Sequence, residues 1–117
     1  MKDVSAYLKH IREAITKIER YTKGGRDEFL EDTMIQDSVI RNLEIIGEAA
    51  RNLPAELRKA YPQVPWRSVT GMRNVLIHEY FGVDLDIVWK VVTQRLPVLK
   101  SQVSVMLTKS KRSKKKA

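Results

Sequence analysis

Arg73-Asn74-Val75-Leu76-Ile77-His78-Glu79-Tyr80 is the stretch around which this chain is organised. Wound as a helix at 100° per residue, it separates into polar and apolar stripes. Arg73 and Tyr80, seven positions apart, fall within about 20° of one another. Asn74 and His78, four apart, share the neighbouring stripe, where side chains at that spacing touch. Met72, Val75 and Leu76 are left to face a core. A solvated helix face is normally filled with Lys and Glu. This one carries a guanidinium, an amide, an imidazole and a phenol, a set suited to handling a phosphate. The bland alternative is a core histidine satisfied by Asn74, with Arg73 in an ordinary surface ion pair.

The segments on either side follow the same helical period. Val4, Tyr7, Leu8, Ile11, Ile15 and Ile18 recur at spacings of three and four, which predicts a first helix over residues 4 to 22, capped by Asp3 and ended by Gly24-Gly25. His10 on this helix has no catalytic company in sequence and is expected at the solvated surface. A long second helix is expected from Asp27 to Asn52, with Leu30, Ile35, Val39, Leu43, Ile46, Ala50 and Leu53 inward. Gly47 within it weakens helix propensity by about 1 kcal/mol relative to Ala, which points to close approach of another helix. Asp37, Arg41, Glu44 and Glu48 form a stripe of alternating charge. It reads as a solvated face with helical ion pairs, or as a face from which Glu44 or Glu48 leans into a cleft and orients Arg73.

Pro54 ends the second helix, and a short helix fits Ala55 to Ala60 before the interrupted Tyr61-Pro62-Gln63-Val64-Pro65. Trp66 to Thr70 starts the next helical segment, Phe81-Gly82 ends the focal helix, and Asp84 caps the last one. That last helix carries Leu85, Val88, Trp89, Val92, Leu96, Leu99, Val103 and Met106 on one side, with a kink or break expected near residues 93 to 97 because of Pro97. Trp66 and Trp89 are expected in the core or at a dimer interface. Strand signals, internal repeats, glycine-rich phosphate loops and zinc-type spacings are absent from the sequence. The expected fold is all-α: an up-and-down four-helix bundle with a short extra helix, homodimeric.

Composition bounds the rest. At 117 residues, 43% apolar and 31% charged, the chain makes one soluble domain. It has no cysteine, so no disulfide or thiolate metal site, and a cytoplasmic setting is expected. No apolar run approaches the roughly 20 residues of a membrane span, and the N-terminus lacks a signal-peptide core. The net charge of +8 is mostly local: Lys109, Lys111, Arg112, Lys114, Lys115 and Lys116 leave 16 basic against 14 acidic residues over positions 1 to 108. The expected division is a helical domain at 1–108 and a disordered basic tail at 109–117, a solubilising extension that adds salt-sensitive attraction to RNA.

Arg73-Asn74-x-x-x-His78-x-Tyr80 resembles the signature of the HEPN superfamily. The context Trp66-Arg67-Ser68-Val69-Thr70-Gly71-Met72 before it and Glu79-Tyr80-Phe81-Gly82-Val83-Asp84 after it resembles the HepT-like branch. So do Ile46-Gly47-Glu48-Ala49-Ala50, Leu53-Pro54, and Trp89 to Leu99; the likeness extends to about residue 107. The resemblance implies the toxin of a type VII-like toxin–antitoxin pair, a metal-independent endoribonuclease needing no cofactor. It implies RNA as substrate, a homodimer whose two motifs meet in one cleft, and a minimal nucleotidyltransferase antitoxin that transfers AMP to the motif tyrosine, here Tyr80. Arg73 and His78 are then catalytic, and Asn74 fixes the imidazole. The competing reading is a non-catalytic helical subunit that binds nucleotide or RNA beside a nucleotidyltransferase. A purely structural helical dimer would leave the polar stripe unexplained.

Overall fold

The computed structural model describes residues 4–72 and 84–116, with side chains described through Ser110. Among the described residues every regular element is helical: α1 (Val4–Tyr21), α2 (Arg26–Glu31), α3 (Thr33–Arg51), α4 (Ala55–Ala60), α5 (Trp66–Thr70), α6 (Leu85–Lys90), a π-helical segment (Val91–Arg95) and α7 (Leu96–Lys116). The all-α bundle is as expected. The focal helix and its Phe81-Gly82 ending, expected over residues 73–82, lie outside the described residues.

α1 forms where its apolar spacing places it, and Leu8, Ile11, Ile15 and Ile18 are each at most 1% exposed. They meet Val39, Leu43, Ile46 and Ala50 of α3 and Leu96, Leu99, Val103 and Met106 of α7 in one core. α7 runs antiparallel to α1. Lys100 near its start pairs with Glu19 at 2.6 Å, and Ser110 near its end bonds Ser5 at 3.1 Å. α7 continues past residue 108, the domain boundary expected from charge. Lys109 sits 5.5 Å from the centre of the Tyr61 ring, and Ser110 is held by α1.

The single long helix expected from Asp27 to Asn52 is two helices. Asp32 adopts an extended backbone (φ −106°, ψ 107°), and its carboxylate accepts the Met34 and Ile35 N–H groups at 2.9 and 3.2 Å. A short acidic side chain competes well with helical backbone bonding, which is why it breaks the run. Gln36 seals the joint by donating to the Phe29 and Leu30 carbonyls at 2.9 and 3.1 Å. Gly25 precedes α2 at φ 92°, a left-handed conformation that favours glycine. Replacing Asp32 with Ala should lower stability by about 1 kcal/mol, whereas Asn should retain most of it, read as a melting-temperature drop of several degrees.

The break lets α2 turn across the start of α6, where Arg26 pairs with Asp86 and the Phe29 ring lies 5.4 Å from that of Trp89. Asp84 caps α6 through the Asp86 and Ile87 N–H groups at 3.0 and 3.3 Å. The break expected near Pro97 takes the form of the wide π turn at Val91–Arg95. Pro97 has no N–H to donate, so an ordinary α ladder cannot run through this point. Trp66 donates its indole N–H to the Arg58 and Tyr61 carbonyls, both at 3.0 Å, and so fixes the proline-rich connection before α5. Both tryptophans are half-buried against the core, the first of the two settings expected for them.

Candidate functional site

Arg73, Asn74, His78 and Tyr80 lie outside the described residues; the chain is described up to Met72 and again from Asp84. Before them, Val69 and Met72 are buried at 2% and 9% exposure. The Gly71 N–H donates to the Arg67 carbonyl at 3.0 Å, and a Cβ on Gly71 would come within 2.9 Å of that oxygen. Only glycine fits this approach without a backbone shift. After the stretch, Asp84 starts α6 with its side-chain cap and buried Val88. The two anchors belong to elements packed on the same core, so they fix where the stretch begins and ends.

The charged stripe of α3 is the solvated face with a helical ion pair that was expected, and it also borders a cavity. Arg41, Glu44 and Glu48, with Asn52 one turn further on, line a cavity of about 330 Å³ whose other side is Tyr7 and His10 of α1. Arg41 reaches the Glu44 carboxylate at 3.4 Å, a long pair whose carboxylate side chain is 28% exposed and whose arginine is 70% exposed. At that exposure such a pair contributes little to stability, about 0–1 kcal/mol. Asn52 donates to the Glu48 carbonyl at 2.9 Å. Asp37 is not among the cavity's lining residues.

His10, on α1, is where the sequence reading expects it. It is exposed, as expected, but it borders this cavity opposite two carboxylates and an arginine, with its ring edge-on to Tyr7 at 6.5 Å between centroids. Nothing in its local sequence signals this. The company comes from how α1 rotates against α3, which is set by packing across the core. The cavity thus gathers a mixed set of donors and acceptors: imidazole, phenol, guanidinium, carboxylates and amide. Such a set can hydrogen-bond a polar organic ligand but carries no excess of positive charge for a phosphate.

Helices α1, α3 and the α6–π–α7 rod, with α5 feeding into the residue 73–83 stretch, form a bundle of the HEPN type. The tri-AMPylated HEPN toxin of Shewanella oneidensis, solved in complex with MNT antitoxin, matches it with a TM-score of 0.66 at 25% identity, over 91% of this chain and 98% of that one. The model of the family described as ribonuclease HepT-like matches residues 11–106, and the chain belongs to that family. A protein of Caldanaerobacter subterraneus subsp. tengcongensis named as an RNase is 43% identical over 112 residues, 95% of this chain and 100% of the relative. One of Thermococcus cleftensis named as ribonuclease HepT is 46% identical over 97 residues, 82% of this chain and 88% of the relative. A Methanocaldococcus jannaschii protein named as gamma-glutamylcyclotransferase and RNase is 50% identical over 103 residues, but the match spans only 46% of its length against 87% of this chain.

Proposed function

We propose that this protein is the toxin of a HEPN–nucleotidyltransferase pair, a metal-independent endoribonuclease acting through Arg73, Asn74 and His78. The observation that carries the reading is the ribonuclease-family match over residues 11–106, which includes an intact Arg73-x4-His78-x-Tyr80. Cleavage of RNA without metal requires a base for the 2′-hydroxyl, an acid for the departing 5′-oxygen, and positive charge on the phosphorane. Imidazole suits both proton transfers because its unperturbed pKa lies near 6.5. The planar fork of Arg73 donates two parallel hydrogen bonds to adjacent phosphate oxygens. Asn74, one helical turn before His78, is placed by sequence to hold the ring in one tautomer.

One motif supplies one histidine. If acid and base are both imidazoles, two chains must meet, and a homodimeric cleft follows from that count. Tyr80 shares the Arg73 stripe in helical projection, so AMP on its oxygen would set a phosphate beside Arg73 and fill the cleft. The HEPN toxin of the solved complex is described as tri-AMPylated, which supports a nucleotidyltransferase antitoxin as partner and nucleotide transfer as the off-switch here.

The test is cleavage of a labelled RNA by purified protein in EDTA, beside His78→Ala and Arg73→Ala. Wild type should cut, and both variants should fail. If wild type cuts no better than the variants, the protein is the non-catalytic binding subunit instead. Incubation with a cognate nucleotidyltransferase and ATP should add AMP to wild type but not to Tyr80→Phe, read by intact mass.

A further inference from the structure

A second cavity, of about 280 Å³, opens between the end of α5 and the α6–π rod. Leu43, Met72, Val88 and Val91 supply an apolar wall, and the exposed Arg67 and Arg95 border it. A smaller cavity of about 190 Å³ shares Ser68, Met72 and Arg95 with it, so the two make one groove running toward Gln102.

Three features of this groove point the same way. First, neither arginine joins an ion pair among the described residues, whereas Arg26 pairs with Asp86 and Arg41 with Glu44. Exposed arginines held at one apolar groove without a carboxylate are available to an anion from outside. Second, Gly71 and Met72 on one wall, and Ile87 and Val88 on the other, come from just before and just after the residue 73–83 stretch. The groove is therefore bounded by the two helices that flank this segment in sequence, α5 and α6. Third, Arg95 closes the π turn. In a regular α-helix, residues four apart drift about 40° out of line. The π segment changes that phase, Val91 and Arg95 both border the groove, and such turns recur at functional sites.

We propose that Arg67 and Arg95 are the phosphate-binding residues of a single-stranded RNA track, with the apolar wall between them taking the face of a base. The proposal rests on the ribonuclease reading for its ligand. The chemistry favours RNA over a second copy of the chain. A two-fold contact centred on this groove would bring its arginines up against the partner's arginines, whereas a ribose-phosphate chain offers a charge to each. A guanidinium on an apolar wall also meets its phosphate in a weaker dielectric than bulk water, which strengthens the attraction. Arg67 and Arg95 act in binding and positioning, not in the chemical step.

Binding is measured by fluorescence anisotropy of a labelled twelve-nucleotide single-stranded RNA on full-length His78→Ala protein, so that cleavage cannot intrude. Arg67→Ala and Arg95→Ala should each weaken binding about tenfold, and each should reduce the slope of log affinity against log salt by about 0.7. Lysine at either position should recover part of the affinity and the whole of the slope. Arg20→Ala, an exposed cation at the end of α1, is the control for loss of charge alone and should change affinity by less than twofold. Alanine variants that bind like the Arg20→Ala control overturn the proposal. So do variants that keep RNA affinity but lose dimerisation by light scattering or lose a nucleotidyltransferase partner, since the groove would then be a protein interface. RNA binding that depends on both arginines in a protein that never cleaves RNA would leave this track standing and remove only the catalytic reading.

Discussion

Replacing His78 with alanine is expected to slow RNA cleavage by about 10²- to 10⁴-fold, the range that a positioned general acid–base group contributes. The chain's other histidine, His10, lies on α1 and borders the α1–α3 cavity. Arg73→Ala should reduce the rate by a comparable factor, and Arg73→Lys should restore only part of it, because an ammonium supplies charge without the two-point fork. The loss should appear in kcat, since both groups act when charge develops on the phosphorane. The Arg67 and Arg95 variants should instead raise KM. Mixed dimers of wild-type and His78→Ala chains distinguish a shared cleft from two separate sites. Separate sites would leave such a dimer with half the activity of wild type. A cleft needing both histidines would leave it far below half.

Much of this architecture is legible in residue spacing, and the parts that are not have identifiable causes. The α1 stripe, the Asp84 cap and the disruption near Pro97 depend on interactions within a turn or two, which is the range over which sequence pattern operates. The split at Asp32 is local too. The apolar period continues across it from Leu30 to Ile35, however, and a periodicity argument follows the stripe and overlooks the cap. The two cavities are different in kind. That His10 borders one cavity with Glu44 and Glu48, or that Arg67 of α5 shares a groove with Arg95 of the π segment, depends on how helices rotate about their own axes when they pack. Arg67 stands in the family-like flank, yet neither it nor Arg95 attracts notice in sequence, since lone arginines on helices are common. The motif was legible because its chemistry is concentrated in eight consecutive residues. The groove bordered by Arg67 and Arg95 is spread over five elements, α3, α5, α6, the π segment and α7.

Phe29→Ala is expected to lose about 3–5 kcal/mol, the usual cost of removing a fully buried phenylalanine. Phe29 is 0% exposed and lies against Trp89, with ring centroids 5.4 Å apart and planes tilted by 34°. Its setting makes the loss larger than the removed area alone implies. α2 has only 6 residues and cannot persist by its own hydrogen bonds, so its place on α6 depends on this side chain. The Arg26–Asp86 pair spans the same two helices, but its side chains are 52% and 64% exposed. Such a pair contributes at most about 1 kcal/mol, so it cannot hold α2 once the ring is gone. The order of effects is therefore Phe29→Ala far above Arg26→Ala, with Phe29→Leu between them. Against a total stability of about 5–15 kcal/mol, the alanine variant should unfold at markedly lower denaturant. Trp89 reports the same event from the other side of the contact: its emission should shift to the red in native Phe29→Ala protein and remain unchanged in Arg26→Ala. A loss below about 1 kcal/mol, or an unshifted Trp89, would mean that α2 is held by its backbone joint at Asp32 and Gln36 rather than by the aromatic pair.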